Sequence, residues 1–278
     1  MTGMATEPTD LSISVHGEPG PTVVLLHGFL ASGAVWADAV RRWAGYRLVV
    51  PDARGHGGSP RLTIEQAKPT AAPIMIADVV RILESLAAQG DSKNVLVGHS
   101  MGAGVAAGVG AERPDLIGAL VLEDPAWMPL ERAKGWRDEH PAQEWAQEFR
   151  DDFEEAVAAL RKEHPAWSDE LLRSWATSTT QIDPLLKHTG QCVARTPWAD
   201  VAAALTVPTL LVTGDQDDNT VNDESLRMVS DISNPAIRVA KVADAGHFVR
   251  FDNPEGYHSV VDPFLAEALD QPASPPSR

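Results

Sequence analysis

The chain has 278 residues, 44% of them hydrophobic, enough for one large α/β domain or two ordinary ones. With 23 Lys and Arg against 39 Asp and Glu the net charge is −16, which repels phosphate backbones and anionic membrane surfaces and argues against nucleic acid as a partner. Cys192 is the single cysteine, so an intramolecular disulfide framework is excluded and a reducing compartment is expected. Met1 to Asp10 lacks the apolar core of a signal peptide, and no apolar run reaches the ~18 residues of a membrane helix. These features predict a soluble, cytoplasmic protein.

In chain order, 1–10 reads as a flexible tail. Leu11 to Val15 alternates apolar and polar, and Gly17-Glu18-Pro19-Gly20 turns into Thr22 to Leu26, which predicts a hairpin leading to a buried strand. Trp36 to Trp43 reads as helix, Arg47 to Val50 as strand and Pro73 to Ala88 as helix, with apolar residues at helical spacing. Val95 to Val97 is the next strand, followed by a small-residue helix from Ala103. Leu116 to Leu122, Thr209 to Val212 and Ile237 to Ala240 supply the remaining strands. Strands separated by helices imply a mostly parallel sheet covered on both faces, with an antiparallel edge from the opening hairpin.

Residues 125–200 interrupt this rhythm, carrying helical patterns punctuated by Pro129, Pro141, Pro165, Pro184 and Pro197. They predict a helical cap inserted between 11–124 and 201–269, which form the core; 270–278 is a second flexible tail. Trp145, Phe149, Phe153, Val157 and Leu160 mark one face of an amphipathic helix, so Trp145 is expected to glue the cap to the core. Six tryptophans (Trp127, Trp136, Trp145, Trp167, Trp175 and Trp198) fall here. Trp127 and Trp175 are the cap residues expected to meet a ligand, together with Phe248 of the core.

The chemistry centres on Gly98-His99-Ser100-Met101-Gly102, which sits between a strand and a helix. A serine at such a sharp turn needs small neighbours, and its hydroxyl projects beside a helix N-terminus, where the Met101 N–H favours developing negative charge. Ser100 is therefore the candidate nucleophile. Of nine histidines, His247 follows the last strand in Ala245-Gly246-His247-Phe248 and is the candidate base. His27 and His56 read as loop-packing residues, His99 as pointing away from the nucleophile, and His140, His164 and His188 as solvated. The candidate acid is Asp217 in Gly214-Asp215-Gln216-Asp217, with Asp124 in Glu123-Asp124-Pro125 as the alternative. No Cys/His cluster or dinucleotide glycine loop calls for a metal or an organic cofactor.

His27-Gly28-Phe29, Asp52 to Ser59, Gly98 to Gly102, Gly214 to Asp217 and Gly246-His247 together resemble the α/β-hydrolase superfamily over nearly the whole chain. The resemblance implies an α/β-hydrolase fold and an oxyanion hole made by the Phe29 and Met101 N–H groups. Haloalkane dehalogenases and most epoxide hydrolases of the superfamily carry aspartate at the nucleophile position, so Ser100 argues against both. Within the serine branch the chain looks like capped carboxylesterases and lactonases, and zearalenone-type lactonases take their acid from the position of Asp124. The expected function is hydrolysis of an ester or lactone of an apolar small molecule, aromatic ones included, by a monomer or homodimer. C–C bond hydrolysis or perhydrolysis on the same triad is the alternative, with a receptor-like role behind it.

Overall fold

The structure is a computed structural model that describes residues 10–90, 94–127 and 142–269. Nearly all of both expected tails lies outside these residues, as do Pro129, Trp136, His140 and Pro141 of the expected cap. The strands are β1 (Ile13–His16), β2 (Thr22–Leu26), β3 (Arg47–Pro51), β4 (Asn94–His99), β5 (Ile117–Glu123), β6 (Thr209–Thr213) and β7 (Ile237–Lys241). The described helices are α1 (Ala37–Arg42), α2 (Ile64–Ala67), α3 (Ala72–Ala88), α4 (Met101–Glu112), α5 (Ala142–Asp151), α6 (Phe153–Glu163), α7 (Asp169–Thr180), α8 (Trp198–Ala204), α9 (Asp223–Ile232), α10 (Val249–Asp252) and α11 (Pro254–Leu269).

The strands form one sheet in the order β1-β3-β2-β4-β5-β6-β7, parallel except for β1. Every residue of β2, β4 and β6 is buried, as expected of aliphatic strands covered on both faces. Helix α4 packs over β2, β4 and β5, and α11 over β4, β5 and β6.

The expected hairpin does not form. β1 pairs antiparallel with β3, Ile13 opposite Pro51, and β3 separates it from β2. The burial pattern explains this: β3 is buried at four of its five residues and needs a strand on each side, whereas β1 is largely exposed and suits an edge.

Between β5 and β6 the described residues are helical and contain no strand. The stripe from Trp145 to Leu160 is carried by two helices, because Asp152 ends α5 and caps α6, accepting from the Glu155 N–H at 3.1 Å. The insertion is pinned to the loop after β2 and to α10, near the sheet's carboxyl ends. Ser178 and Ser32 share a hydroxyl hydrogen bond of 2.7 Å, the Thr179 hydroxyl donates to the Leu30 carbonyl at 3.3 Å, and Trp167 Nε1 donates to Asp252 at 3.0 Å.

Candidate active site

Ser100 stands between β4 and α4 with φ 51° and ψ −111°, a left-handed conformation that costs energy and pushes the side chain off the sheet. Its glycines have specific reasons. A Cβ on Gly102 would stand 2.2 Å from the Leu26 carbonyl oxygen, and one on Gly98 would stand 2.5 Å from the Gly102 backbone. The strand, the helix and the neighbouring loop thus approach more closely than any side chain allows.

His247, in the loop between β7 and α10, places Nε2 3.0 Å from Ser100 Oγ. Its Nδ1 is 2.6 Å from Asp124 Oδ2. The geometry therefore pairs the histidine with Asp124 and not with Asp217, which is exposed and has no hydrogen bond to His247. The reason lies in the sheet. β5 and β6 are neighbours, with Glu123 opposite Val212, so both strand ends open at the same edge and both can offer a carboxylate. Asp124, at φ 37°, turns its side chain back under the imidazole. Its carboxylate also accepts from the Thr213 hydroxyl at 2.8 Å, the Thr220 N–H at 2.8 Å, the Thr220 hydroxyl at 2.9 Å and the Val221 N–H at 3.1 Å. Four donors besides the histidine make it a fully buried, fully partnered anion. The loop expected to supply Asp217 instead cradles Asp124.

Burial pulls the His247 imidazole toward the neutral form. The hydrogen bond and charge of Asp124, with the charges of Glu123 and Asp218, more than reverse this and hold its pKa above the ordinary histidine value. An Asp124 carboxylate against Nδ1 requires the proton there, which leaves Nε2 as an acceptor facing the Ser100 hydroxyl.

Both expected oxyanion donors border Ser100. Met101 opens α4, so its N–H has no intrahelical partner. Phe29 lines the same cavity as Ser100, and a Cβ on Gly28 would come within 3.4 Å of Ser100 Cβ, so this loop runs alongside Ser100. Leu30, next in the loop, is also left-handed, at φ 64°. His27 organises the loop: the Ala53 N–H donates to its Nε2 at 2.9 Å, so Nδ1 carries the proton and donates to the Gly28 carbonyl at 2.8 Å.

His99 is not turned away from the site. Its Nε2 donates to the His247 carbonyl at 3.0 Å, its ring lies 4.9 Å from the His247 ring, and it lines the cavity. Burial holds it well below the ordinary histidine value, hence neutral. Glu123, beside Asp124, accepts from the Arg250 N–H at 2.8 Å through one oxygen, and its other oxygen is buried without a partner. Burial pushes its carboxyl up to about 7, against the opposing charge of Arg250. The one signal for these two residues was adjacency to the motifs.

Ser100 and His247 open into a cavity of about 410 Å³. Trp175 and Phe248 line it as expected; Trp127 does not, and stacks on Trp198 with centroids 5.5 Å apart. Trp145 lines the cavity rather than serving only as glue, and His164 lines it rather than facing bulk solvent. Three carboxylates, Glu148, Glu163 and Asp218, border it, and among the described residues no Lys or Arg does. No group of three His, Cys, Asp or Glu that could hold a metal ion occurs among the described residues, and none of their helices is long and apolar enough to cross a membrane. Cys192 is buried, which raises its thiol pKa far above the ordinary value.

The family model described as alpha/beta hydrolase fold matches residues 21–254. Lipase LipV of Mycobacterium tuberculosis is 40% identical over 119 residues, 42% of this chain and 42% of that protein. The putative 2-succinyl-6-hydroxy-2,4-cyclohexadiene-1-carboxylate synthase of Bacillus subtilis is 27% identical over 87% of this chain and 89% of its own length. The match spans less than half the length of the first curated relatives, at 42%, 37% and 39%. The crystal structure of E-2-(acetamidomethylene)succinate hydrolase superposes with a TM-score of 0.71 at 23% identity, over 92% of this chain and 95% of that one; at this identity the likeness concerns the fold.

Proposed function

Since the chain belongs to the α/β-hydrolase family, we propose that it hydrolyses a carboxylic ester or lactone of an uncharged, apolar small molecule through a Ser100 acyl-enzyme. The observation that carries this reading is the relay from Ser100 Oγ to His247 at 3.0 Å and from His247 to Asp124 at 2.6 Å, at the edge of a cavity lined by aromatic rings.

Ser100 Oγ attacks the carbonyl carbon while His247 Nε2 takes its proton, and Asp124 stabilises the imidazolium formed. The oxyanion is held by the Phe29 and Met101 N–H groups. Collapse breaks the carbon–oxygen bond, and His247 returns the proton to the leaving alcohol; in a lactone that alcohol stays attached to the acyl group. Water then gives a proton to His247 as it attacks the acyl carbon, and collapse breaks the bond to Ser100 Oγ, which takes that proton from His247 as the acid leaves. The aromatic lining supports an apolar acyl or alcohol group, and the carboxylates around it oppose anionic substrates.

The test is hydrolysis of p-nitrophenyl esters from acetyl to dodecanoyl by wild type and Ser100→Ala. Loss of about 10⁶-fold in kcat in the variant is expected. Ester turnover that survives Ser100→Ala overturns the mechanism. Tight ligand binding with negligible turnover of esters and lactones would replace it with a receptor-like role.

A further inference from the structure

Two cavities lie on opposite sides of one group of aromatic rings. The first, about 410 Å³, holds Ser100; the second, about 380 Å³, lies between α1, the α6–α7 connection and the start of α11. Phe248 lines the first, whereas Trp167 and Phe251 line the second. These residues touch one another. Trp167 meets Phe248 edge-on with centroids 5.0 Å apart and Phe251 at 5.1 Å, and Phe248 stacks with Phe251 at 5.9 Å. Trp175, in the wall of the first cavity, meets Trp167 at 6.2 Å. The two spaces share no lining residue, so two ranks of rings in contact separate them, with Phe248 and Trp175 facing Ser100 and Trp167 and Phe251 backing them from the far side.

Trp167 is the fixed member of the far rank. It is buried, His164 stacks on it at 4.0 Å, and its Nε1 donates to Asp252 at 3.0 Å, which ties the insertion to α10. On the far side Val35 and Leu171 give the second cavity apolar wall. Its charged pair Arg41–Glu170 is more than half exposed and lies at the solvent end, while the buried Arg250 is neutralised by Asp38 and lies flat over the Phe251 ring.

We infer that this aromatic partition is the end wall of the substrate cavity, that Trp167 sets the longest chain the site accepts, and that the second cavity is the space a longer chain enters once the wall is opened. The inference rests on the ester-hydrolase reading of Ser100. Close-packed rings cannot make room for an extra methylene without displacing one another. With the indole removed, Phe248 loses the ring that backs it and has room to swing toward the second cavity. Each added methylene that follows leaves water for an apolar surface, which corresponds to about fourfold in kcat/KM per methylene.

The experiment compares wild type, Trp167→Ala and Trp167→Phe across p-nitrophenyl esters from acetyl to dodecanoyl. Wild type should show a length optimum with a steep fall beyond it. Trp167→Ala should move the optimum to longer chains, rising about fourfold per methylene over lengths that wild type rejects, chiefly through KM. Trp167→Phe keeps a ring in the wall and should stay close to wild type. A Trp167→Ala profile that is the wild-type profile scaled uniformly, optimum unmoved, overturns the inference and reduces Trp167 to a packing residue. Should wild type hydrolyse neither esters nor lactones, the Ser100 reading fails by itself. The wall is then judged by calorimetry with 1-alkanols from butanol to dodecanol, where selective gain of long-chain affinity in Trp167→Ala supports it and parallel affinities overturn it.

Discussion

Replacing Asp124 by Asn tests the choice of acid most directly. Asparagine tolerates the left-handed φ of 37° at this position, so the backbone need not move. The side chain, however, loses one acceptor oxygen where the carboxylate takes five hydrogen bonds. Oδ2 accepts from the Thr220 N–H, the Thr220 hydroxyl and His247 Nδ1. An amide NH₂ there faces donors, and the cheapest relief is for His247 to move its proton to Nε2. That tautomer cannot accept the Ser100 proton. The expected loss is about 10⁴-fold in kcat, or roughly 5 kcal/mol of transition-state stabilisation. The same change removes the charge that opposes burial, so any residual pH–rate limb should move to lower pH. Asp217→Asn, at an exposed position without a bond to His247, should remain within about twofold of wild type, well under 1 kcal/mol. The assay is steady-state hydrolysis of a p-nitrophenyl ester by both variants, with circular dichroism to verify folding. A folded Asp124→Asn enzyme with near wild-type kcat, or a collapse of activity in Asp217→Asn, would refute the assignment.

Other consequences follow from the same geometry. In wild type, kcat/KM should rise with pH through a value above 6.5 as His247 loses its proton, and a profile flat from pH 6 to 8 would count against it as base. His99→Leu deletes the donor to the His247 carbonyl and should lower kcat by about 10²-fold with KM little changed; equal loss in both parameters would mean that His99 only packs. Gly102→Ala drives a Cβ into the Leu26 carbonyl and should cost about 3 kcal/mol or more, visible as a large fall in denaturant midpoint. Glu123 binds its proton more tightly folded than unfolded, so the fold holds more protons between the ordinary carboxyl range and about pH 7, and stability falls as pH rises through that window. Glu123→Gln should remove that part of the pH dependence, on the order of a few kcal/mol, and an unchanged melting-temperature profile from pH 5 to 8 would exclude it.

Local pattern determined most of the architecture. Runs such as Thr22 to Leu26 and Val95 to Val97 have no polar face to expose, so they could only be central strands. The glycines around Ser100 announced a turn that nothing larger survives, and Gly246-His247 marked, by its place after the last strand, the histidine that stands beside Ser100. These are properties of consecutive residues, and a linear string carries them. The tertiary structure decided whatever depends on segments distant in the chain. β1 crosses to β3 because burial over the whole sheet, not the turn after it, selects its partner. Asp124 and not Asp217 reaches His247 because adjacent parallel strands end at one edge, and a backbone angle together with four donors from Thr213 to Val221 settles which carboxylate turns inward. Trp145 and Trp127 exchange their expected roles for a related reason. Helical periodicity places a side chain on a face, but what that face meets depends on how the inserted helices dock onto the loop beyond β2 and onto α10.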